Sequence, residues 1–166
     1  MPKKKPPQQN PSEKKIWKGL WKNDKGSLMR IQDVKKVRTG TRAARYHFQI
    51  SGKYQTGVGR PGFIEKFPLV GFVTGDLIVF SVSFRLKDSD RKKGKPDSMT
   101  SWSGQILPTT NDKGRQKLRT LWYLTEDEPE DRELQHGWAT ILAGADFFEK
   151  ISNNPDAELK PTTKST

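Results

Sequence analysis

Two hydroxyl groups and an indole alternate along one short segment, where Ser98, Thr100 and Trp102 are separated by single residues. Side chains two positions apart in a strand point to the same face, so all three would share one side. If that side lines a closed cavity, each hydroxyl needs a hydrogen-bond partner, because an unpaired one costs about 1–3 kcal/mol. Neighbouring backbone groups usually supply such partners, but a ligand with carbonyl, N–H or sulfur edges would also do so.

A single carboxylate, Asp146, stands between Ala145 and Phe147 in an otherwise apolar stretch. Burying it without a partner would be expensive, whereas a ligand N–H that donates to it would form a charge-assisted hydrogen bond. The alternative is that Asp146 marks the solvent-exposed end of a strand.

Catalytic and metal-binding chemistry has little support in the sequence. The two histidines, His47 and His136, are far apart in the sequence. We find no nucleophile–base pair and no metal-ligand spacing, so we predict a protein that is not an enzyme and has no metal or cofactor.

Two other sequence features have simpler explanations. Residues 57–62 match the consensus of a dinucleotide-binding loop, but no helix is predicted after them. The acidic residues 126–131 are typical of a solvated loop.

The elements that must position these groups are short strands. Apolar residues recur with period two in three segments, and turn sequences rich in Gly, Asp, Asn and Pro separate the runs; these apolar residues are Tyr46, Phe48, Ile50, Ile78, Phe80, Val82, Phe84, Leu118, Trp122 and Leu124. No segment sustains a convincing helical period. Seven or eight such strands form a sandwich or a closed antiparallel barrel. Aromatic and small polar residues share the same faces, which favours a barrel that holds one ligand.

The composition is that of one domain with loose ends. The 166 residues carry a net charge of +12, most of it in the tails and loops, so solvated charge is a simpler explanation than a nucleic-acid groove. The absence of cysteine leaves the redox compartment open, and no apolar run is long enough to cross a bilayer.

We predict a disordered basic arm over residues 1–15, a barrel over 16–151 and a flexible tail over 152–166. The N-terminus lacks the apolar stretch of a signal peptide.

Five motifs in order resemble the avidin/streptavidin family of biotin-binding proteins, from about Gly19 to Lys150. They are Asn23-Asp24-Lys25-Gly26-Ser27, Thr100-Ser101-Trp102-Ser103-Gly104-Gln105, Leu121-Trp122-Tyr123-Leu124-Thr125, Trp138 and Ala143-Gly144-Ala145-Asp146-Phe147-Phe148. The resemblance implies an all-β fold, an eight-stranded antiparallel up-and-down β-barrel, with biotin as a non-covalent ligand. It also implies secretion, for which the given chain shows no signal peptide.

The resemblance also assigns roles to residues. Asn23, Ser27 and Tyr54 match the three donors to the ureido oxygen of biotin, while Thr56 and Asp146 match the acceptors for its two N–H groups. Ser98 and Thr100 match residues that contact the carboxylate and the thioether sulfur. The ring walls are matched by Phe84, Trp102 and Trp122, of which Phe84 replaces a usual tryptophan, and Trp21 matches a structural residue that closes the barrel end.

The loop after Thr56 departs from the family. Gly59 and Arg60 fall where the family contacts the biotin carboxylate, and Arg60 replaces a small polar residue. We expect the guanidinium to pair with that carboxylate, with solvent exposure as the alternative.

The third strand has two possible registers. Thr39-Gly40-Thr41 competes with Ser51-Gly52-Lys53 for its opening turn, and would put Arg42 and Ala44 at the positions we give to Tyr54 and Thr56. Arg42 and Ala44 cannot take the donor and acceptor roles given to Tyr54 and Thr56, so we favour the register that opens at Ser51-Gly52-Lys53. This register implies a long basic hairpin at residues 35–45.

Trp138 belongs to a different part of the site. It precedes Asp146 by eight residues, which is roughly 26 Å along an extended strand, too far for both to line one small pocket. The matching tryptophan of the family caps the site of a neighbouring subunit, so Trp138 implies a homo-oligomer, and a tetramer rather than a dimer.

Two other functions remain open at this point. A barrel could bind single-stranded nucleic acid with Tyr46, Phe48 and the basic hairpin, and its affinity would then fall steeply with salt. A structural relative could instead bind a different small ligand.

Overall fold

The computed structural model describes residues 11–37, 47–58, 65–85, 96–108, 115–127, 130, 133–136 and 141–159. These residues form eight strands and two short helices. The strands are β1 (Gly19–Asn23), β2 (Leu28–Lys36), β3 (His47–Gln55), β4 (Phe67–Thr74), β5 (Leu77–Phe84), β6 (Ser98–Leu107), β7 (Lys117–Glu126) and β8 (Ile141–Ser152); the helices are α1 (Pro11–Trp17) and α2 (Glu133–His136).

Each strand pairs antiparallel with the next one along the chain, and β8 pairs with β1, so the sheet closes into a barrel. The closed arrangement leaves no free sheet edge among these strands. The predicted fold, an eight-stranded antiparallel up-and-down barrel, is confirmed.

Alternation along the strands places one face of each inside the barrel. In β4 buried and exposed residues alternate without a break, and in β5 the predicted apolar face from Ile78 to Phe84 is buried. Phe48 and Ile50 of β3 also point inward, as their period-two pattern predicted. Tyr46 lies outside the described residues.

Helix α1 closes one end of the barrel. Its last residue, Trp17, packs against Trp21, and Trp21 Nε1 donates to the carbonyl oxygen of Trp17 over 3.1 Å. Lys150 Nζ donates to the carbonyl oxygens of Lys15 and Ile16 at 2.9 and 2.7 Å. These carbonyls belong to the last turn of the helix, where no backbone N–H of the helix can reach them. Trp21 is thus a buried structural residue at the barrel end, as the resemblance implied.

Both predicted chain ends need correction. Residues 11–15, assigned to a disordered arm, are part of α1, a helix of seven residues. Residues 153–159, assigned to a flexible tail, pack along the outside of the barrel. Leu159 is buried against Leu20 and Leu28, and Arg30 Nη1 donates to the carbonyl oxygen of Ala157 over 3.2 Å. Leu159 and Ala157 cover the outward-facing pair of leucines, and this apolar contact stabilises a segment that forms no helix or strand.

Candidate functional site

A cavity of about 480 Å³ opens inside the barrel, at the end away from α1. Its walls include ten of the thirteen residues that the sequence indicated: Asn23, Ser27, Tyr54, Thr56, Phe84, Ser98, Thr100, Trp102, Trp122 and Asp146. The other three, Gly59, Arg60 and Trp138, lie outside the described residues. Six lining residues were not predicted: Lys25, Val58, Pro96, Leu124, Glu126 and Leu142.

The turn between β1 and β2 fixes Asn23 and Ser27. Asn23 Oδ1 accepts hydrogen bonds from the backbone N–H groups of Lys25 and Ser27, at 3.1 and 2.7 Å. Gly26 completes the turn at a φ of 85°, a conformation that favours glycine. Because the turn uses the side-chain oxygen of Asn23, its amide nitrogen is the end that can donate to a ligand.

Tyr54 reaches the same corner from the end of β3. Its ring is buried, and burial raises the pKa of the hydroxyl, an effect that the hydrogen bond with Ser27 opposes and the charge of Asp146 reinforces. The hydroxyl therefore stays protonated and can act as a donor. The structure has the register that we favoured, with Gly52 beside Arg30, where a Cβ would lie 1.8 Å from the Arg30 carbonyl oxygen. Arg42 and Ala44 of the competing register lie outside the described residues.

Thr56 is oriented as an acceptor by the residues that follow it. Its hydroxyl donates to the carbonyl oxygen of Val58 and accepts from the Val58 N–H at 3.2 Å. Next to it, the Gly57 N–H donates to Ser27 Oγ at 3.0 Å and ties the end of β3 to the β1–β2 turn. Since the hydroxyl proton is already engaged, Thr56 can offer a ligand only a lone pair.

Asp146 is buried on the cavity wall, and the alternative of an exposed strand end is wrong. Trp102 Nε1 donates to Asp146 Oδ2 over 3.0 Å, and the Lys25 ammonium forms an ion pair with Oδ1. The backbone oxygen of Asp146 accepts from Thr120 Oγ1 at 3.2 Å. The carboxylate is therefore an oriented, charged acceptor. No sequence pattern pointed to Lys25, because its contact with Asp146 depends on closure of the barrel between β1 and β8.

Aromatic rings form the sides of the cavity. Trp102 stacks on Phe80 with centroids 4.8 Å apart and planes 7° from parallel, and it also contacts Tyr54. Phe84 packs edge-on against Phe67. Trp122 Nε1 is buried and has no hydrogen-bond partner in the part of the chain that the structure describes. An unpaired buried N–H is costly, so this indole is a donor that a ligand could satisfy.

Together these groups suit a small, flat, polar ring. Asn23, Ser27 and Tyr54, whose side chains can donate, line the same cavity as the acceptors Thr56 and Asp146. Among the described residues, no cluster of His, Cys, Asp or Glu could hold a metal ion. None of the helices in that part of the chain is long and apolar enough to cross a membrane. Fold and site define a β-barrel with an internal binding cavity for a small molecule.

Comparison with known proteins gives the family. The model of the Avidin family matches residues 11–151, so this chain belongs to the avidin family. This match confirms the predicted family. Members of the family are non-enzymatic biotin-binding proteins, in agreement with the prediction that the chain is not an enzyme. No curated protein matches the chain.

Solved structures agree with this assignment. The chain is 26% identical to the biotin-binding protein from chicken, over 83% of this chain and 99% of that one, with a TM-score of 0.57. It is 26% identical to xenavidin, over 81% and 96% of the two chains, with a TM-score of 0.53. A shwanavidin variant in complex with biotin shares the fold at 23% identity, over 81% and 96% of the two chains, with a TM-score of 0.53.

Proposed function

We propose that this protein binds biotin non-covalently in the barrel cavity. The observation that carries the proposal is the convergence of Asn23, Ser27, Tyr54, Thr56 and Asp146 on one enclosed space. Three donors facing one ligand oxygen would stabilise its partial negative charge, as preorganised donors do in oxyanion holes. Two acceptors beside them match the two N–H groups that a cyclic urea carries.

The rest of the cavity suits the remainder of biotin. The rings of Phe84, Trp102 and Trp122 would pack against the bicyclic ring system. Thr100 is buried and Ser98 is partly exposed, which suits contacts with the thioether sulfur inside and the carboxylate at the mouth. We keep Gly59 and Arg60 as proposed contacts for the carboxylate, from the sequence alone.

We further propose that the protein is a homotetramer in which Trp138 caps a neighbouring site. Support comes from the outer surface of the barrel, where apolar and small residues line up across five adjacent strands. One row, set by the strand registers, consists of Phe72, Val79, Ser103, Leu121 and Ala145. Leu121 and Tyr123 are 68% and 59% exposed. A monomer rarely exposes so continuous an apolar patch, and an interface between subunits would bury it.

The nucleic-acid alternative is weaker once the fold is known. Phe48, one of its two proposed stacking residues, is buried inside the barrel and cannot stack on a base. A titration with biotin at low and high salt tests both functions. Biotin binding should change little with salt, because the ligand is held mainly by short-range contacts. Binding of a single-stranded oligonucleotide without biotin capture, with an affinity that falls steeply as salt increases, would overturn the proposal.

A further inference from the structure

Both oxygens of the Asp146 carboxylate already have partners. Trp102 Nε1 donates to Oδ2, and the Lys25 ammonium donates to Oδ1 and, over 2.7 Å, to the backbone oxygen of Ala145. A carboxylate oxygen has more than one lone pair, so a third donor can still approach. A ligand N–H that uses Asp146 must nevertheless share the carboxylate with a cation or move that cation aside.

The ammonium is part of the cavity wall. Lys25 is one of the lining residues, and its Nζ lies 5.8 Å from the ring centroid of Trp122. The backbone of Lys25 is fixed by its N–H bond to Asn23 Oδ1. The side chain is 40% exposed and crosses from the β1–β2 turn to β8 at the edge of the cavity. A positive charge therefore lies where the ligand would contact Asp146.

Hydrogen bonds that do not involve this ammonium hold the turn and the strand seam beside it. Backbone hydrogen bonds close the turn, with the Asn23 N–H donating to the Ser27 carbonyl oxygen over 2.9 Å. The seam between β1 and β8 is joined next to Lys25 by two bonds, from the Asp24 N–H to the Phe147 carbonyl oxygen and from the Phe147 N–H to Asp24 Oδ1. A change that removes only the charge of Lys25 leaves all of these bonds in place.

We propose that Lys25 is a specificity-determining residue, which weakens the hydrogen bond from a ligand N–H to Asp146 and selects against cationic ligands. The inference rests on the proposed biotin function. A carboxylate partly neutralised by an ammonium is a poorer acceptor than a free carboxylate. A ligand that carries a positive charge beside Asp146 also meets repulsion from the ammonium, which is stronger in a cavity than in bulk water.

The test compares Lys25→Met with the wild-type protein, using biotin and 2-iminobiotin, in which a cyclic guanidinium replaces the urea. Methionine keeps most of the length of the side chain without its charge. We expect biotin to bind roughly fivefold more tightly to the variant, the difference between a charged and a neutralised acceptor. We expect 2-iminobiotin at neutral pH to gain roughly a further tenfold. Lys35→Met, which removes an exposed lysine on β2, is the matched control for net charge.

Two more variants identify the route of the effect. In an Asp146→Asn background, Lys25→Met should no longer tighten biotin binding, because position 146 then has no carboxylate that the loss of the ammonium could free. Lys25→Arg, which keeps the charge, should retain the wild-type preference for biotin over 2-iminobiotin. Equal ratios of the two affinities in Lys25→Met and wild type would overturn the role of Lys25, and so would a gain that persists in the Asp146→Asn background. Failure of the folded wild type and all variants to bind biotin would overturn the proposed function, and this inference with it.

Discussion

At the scale of single residues, the site is organised by hydrogen bonds that decide which atoms remain for a ligand. The turn uses the oxygen of Asn23, and Val58 uses the hydroxyl proton of Thr56. Each residue is thereby restricted to one role, donor for Asn23 and acceptor for Thr56. Preorganisation of this kind reduces the conformational entropy that the side chains lose when a ligand binds.

The first prediction concerns the charged acceptor. Asp146→Ala should weaken biotin binding roughly 10- to 150-fold, since it removes a charge-assisted hydrogen bond of about 1.5–3 kcal/mol. Isothermal titration calorimetry measures the change, and circular dichroism shows whether the barrel is intact. Asp33→Ala removes an exposed carboxylate on β2 and should leave the affinity unchanged. An unaltered affinity in Asp146→Ala would exclude Asp146 from the site.

The second prediction concerns the space beside Trp122. A Cβ added at Gly144 would lie 2.6 Å from the Trp122 ring, so Gly144→Ala should displace this indole from the cavity wall. We expect weaker biotin binding with an intact barrel, because the clash is with a side chain and not with backbone. Tryptophan fluorescence and a biotin titration on the same sample would report both effects. Wild-type affinity in this variant would show that the position of the indole does not matter for the ligand.

At the scale of elements, the strands were predictable and the covering segments were not. Alternation of apolar residues identified β5, the start of β3 and most of β7, because a half-buried strand imposes period two on its sequence. Helix α1 has seven residues, which is about two turns and too short for a 3.6-residue period to stand out. Residues 153–159 pack through Leu159 and Ala157, two apolar side chains that are too few to make a sequence pattern. The ion pair of Lys25 with Asp146 was invisible for another reason, since it joins residues at opposite ends of the barrel sequence.

The third prediction concerns the contact between Lys150 and α1. Burial lowers the pKa of Lys150 from 10.5 to about 8. Between these two values the unfolded chain holds a proton that the folded protein has released. Stability therefore rises with pH across this window, and the full cost of the charged amine is present below pH 8. Lys150→Met lacks this dependence.

Thermal unfolding from pH 7.5 to pH 10 would measure this effect. The Tm of the wild type minus that of Lys150→Met should increase by a few degrees as the pH rises. Lys35→Met, the same change at an exposed lysine, corrects for the loss of one positive charge. A constant difference between wild type and Lys150→Met would contradict the lowered pKa.

At the scale of the whole molecule, the apolar outer rows of β4 to β8 carry the fourth prediction. Leu121→Arg should shift the protein to smaller assemblies, because it places a charge on the surface proposed to join subunits. Size-exclusion chromatography with light scattering measures the mass. Leu134→Arg is the control, since Leu134 is fully exposed and lies on α2, not on any of these strands. A wild-type protein that is already monomeric would remove the tetramer proposal.

The last prediction connects assembly with ligand release. If Trp138 covers the cavity of a neighbouring subunit, Trp138→Lys should both loosen subunit association and speed the dissociation of biotin. Leu121→Arg changes the outer surface and not the cavity of its own subunit. It should nevertheless speed biotin release, because it removes the neighbouring subunit that carries the capping tryptophan. The two effects should then be non-additive in the double variant, since a subunit without a neighbour has no cap to lose. Biotin dissociation rates, measured beside the mass of each variant, would decide the matter. Normal assembly with normal release in Trp138→Lys would refute the capping role, and additive rates would show that Trp138 acts within its own subunit.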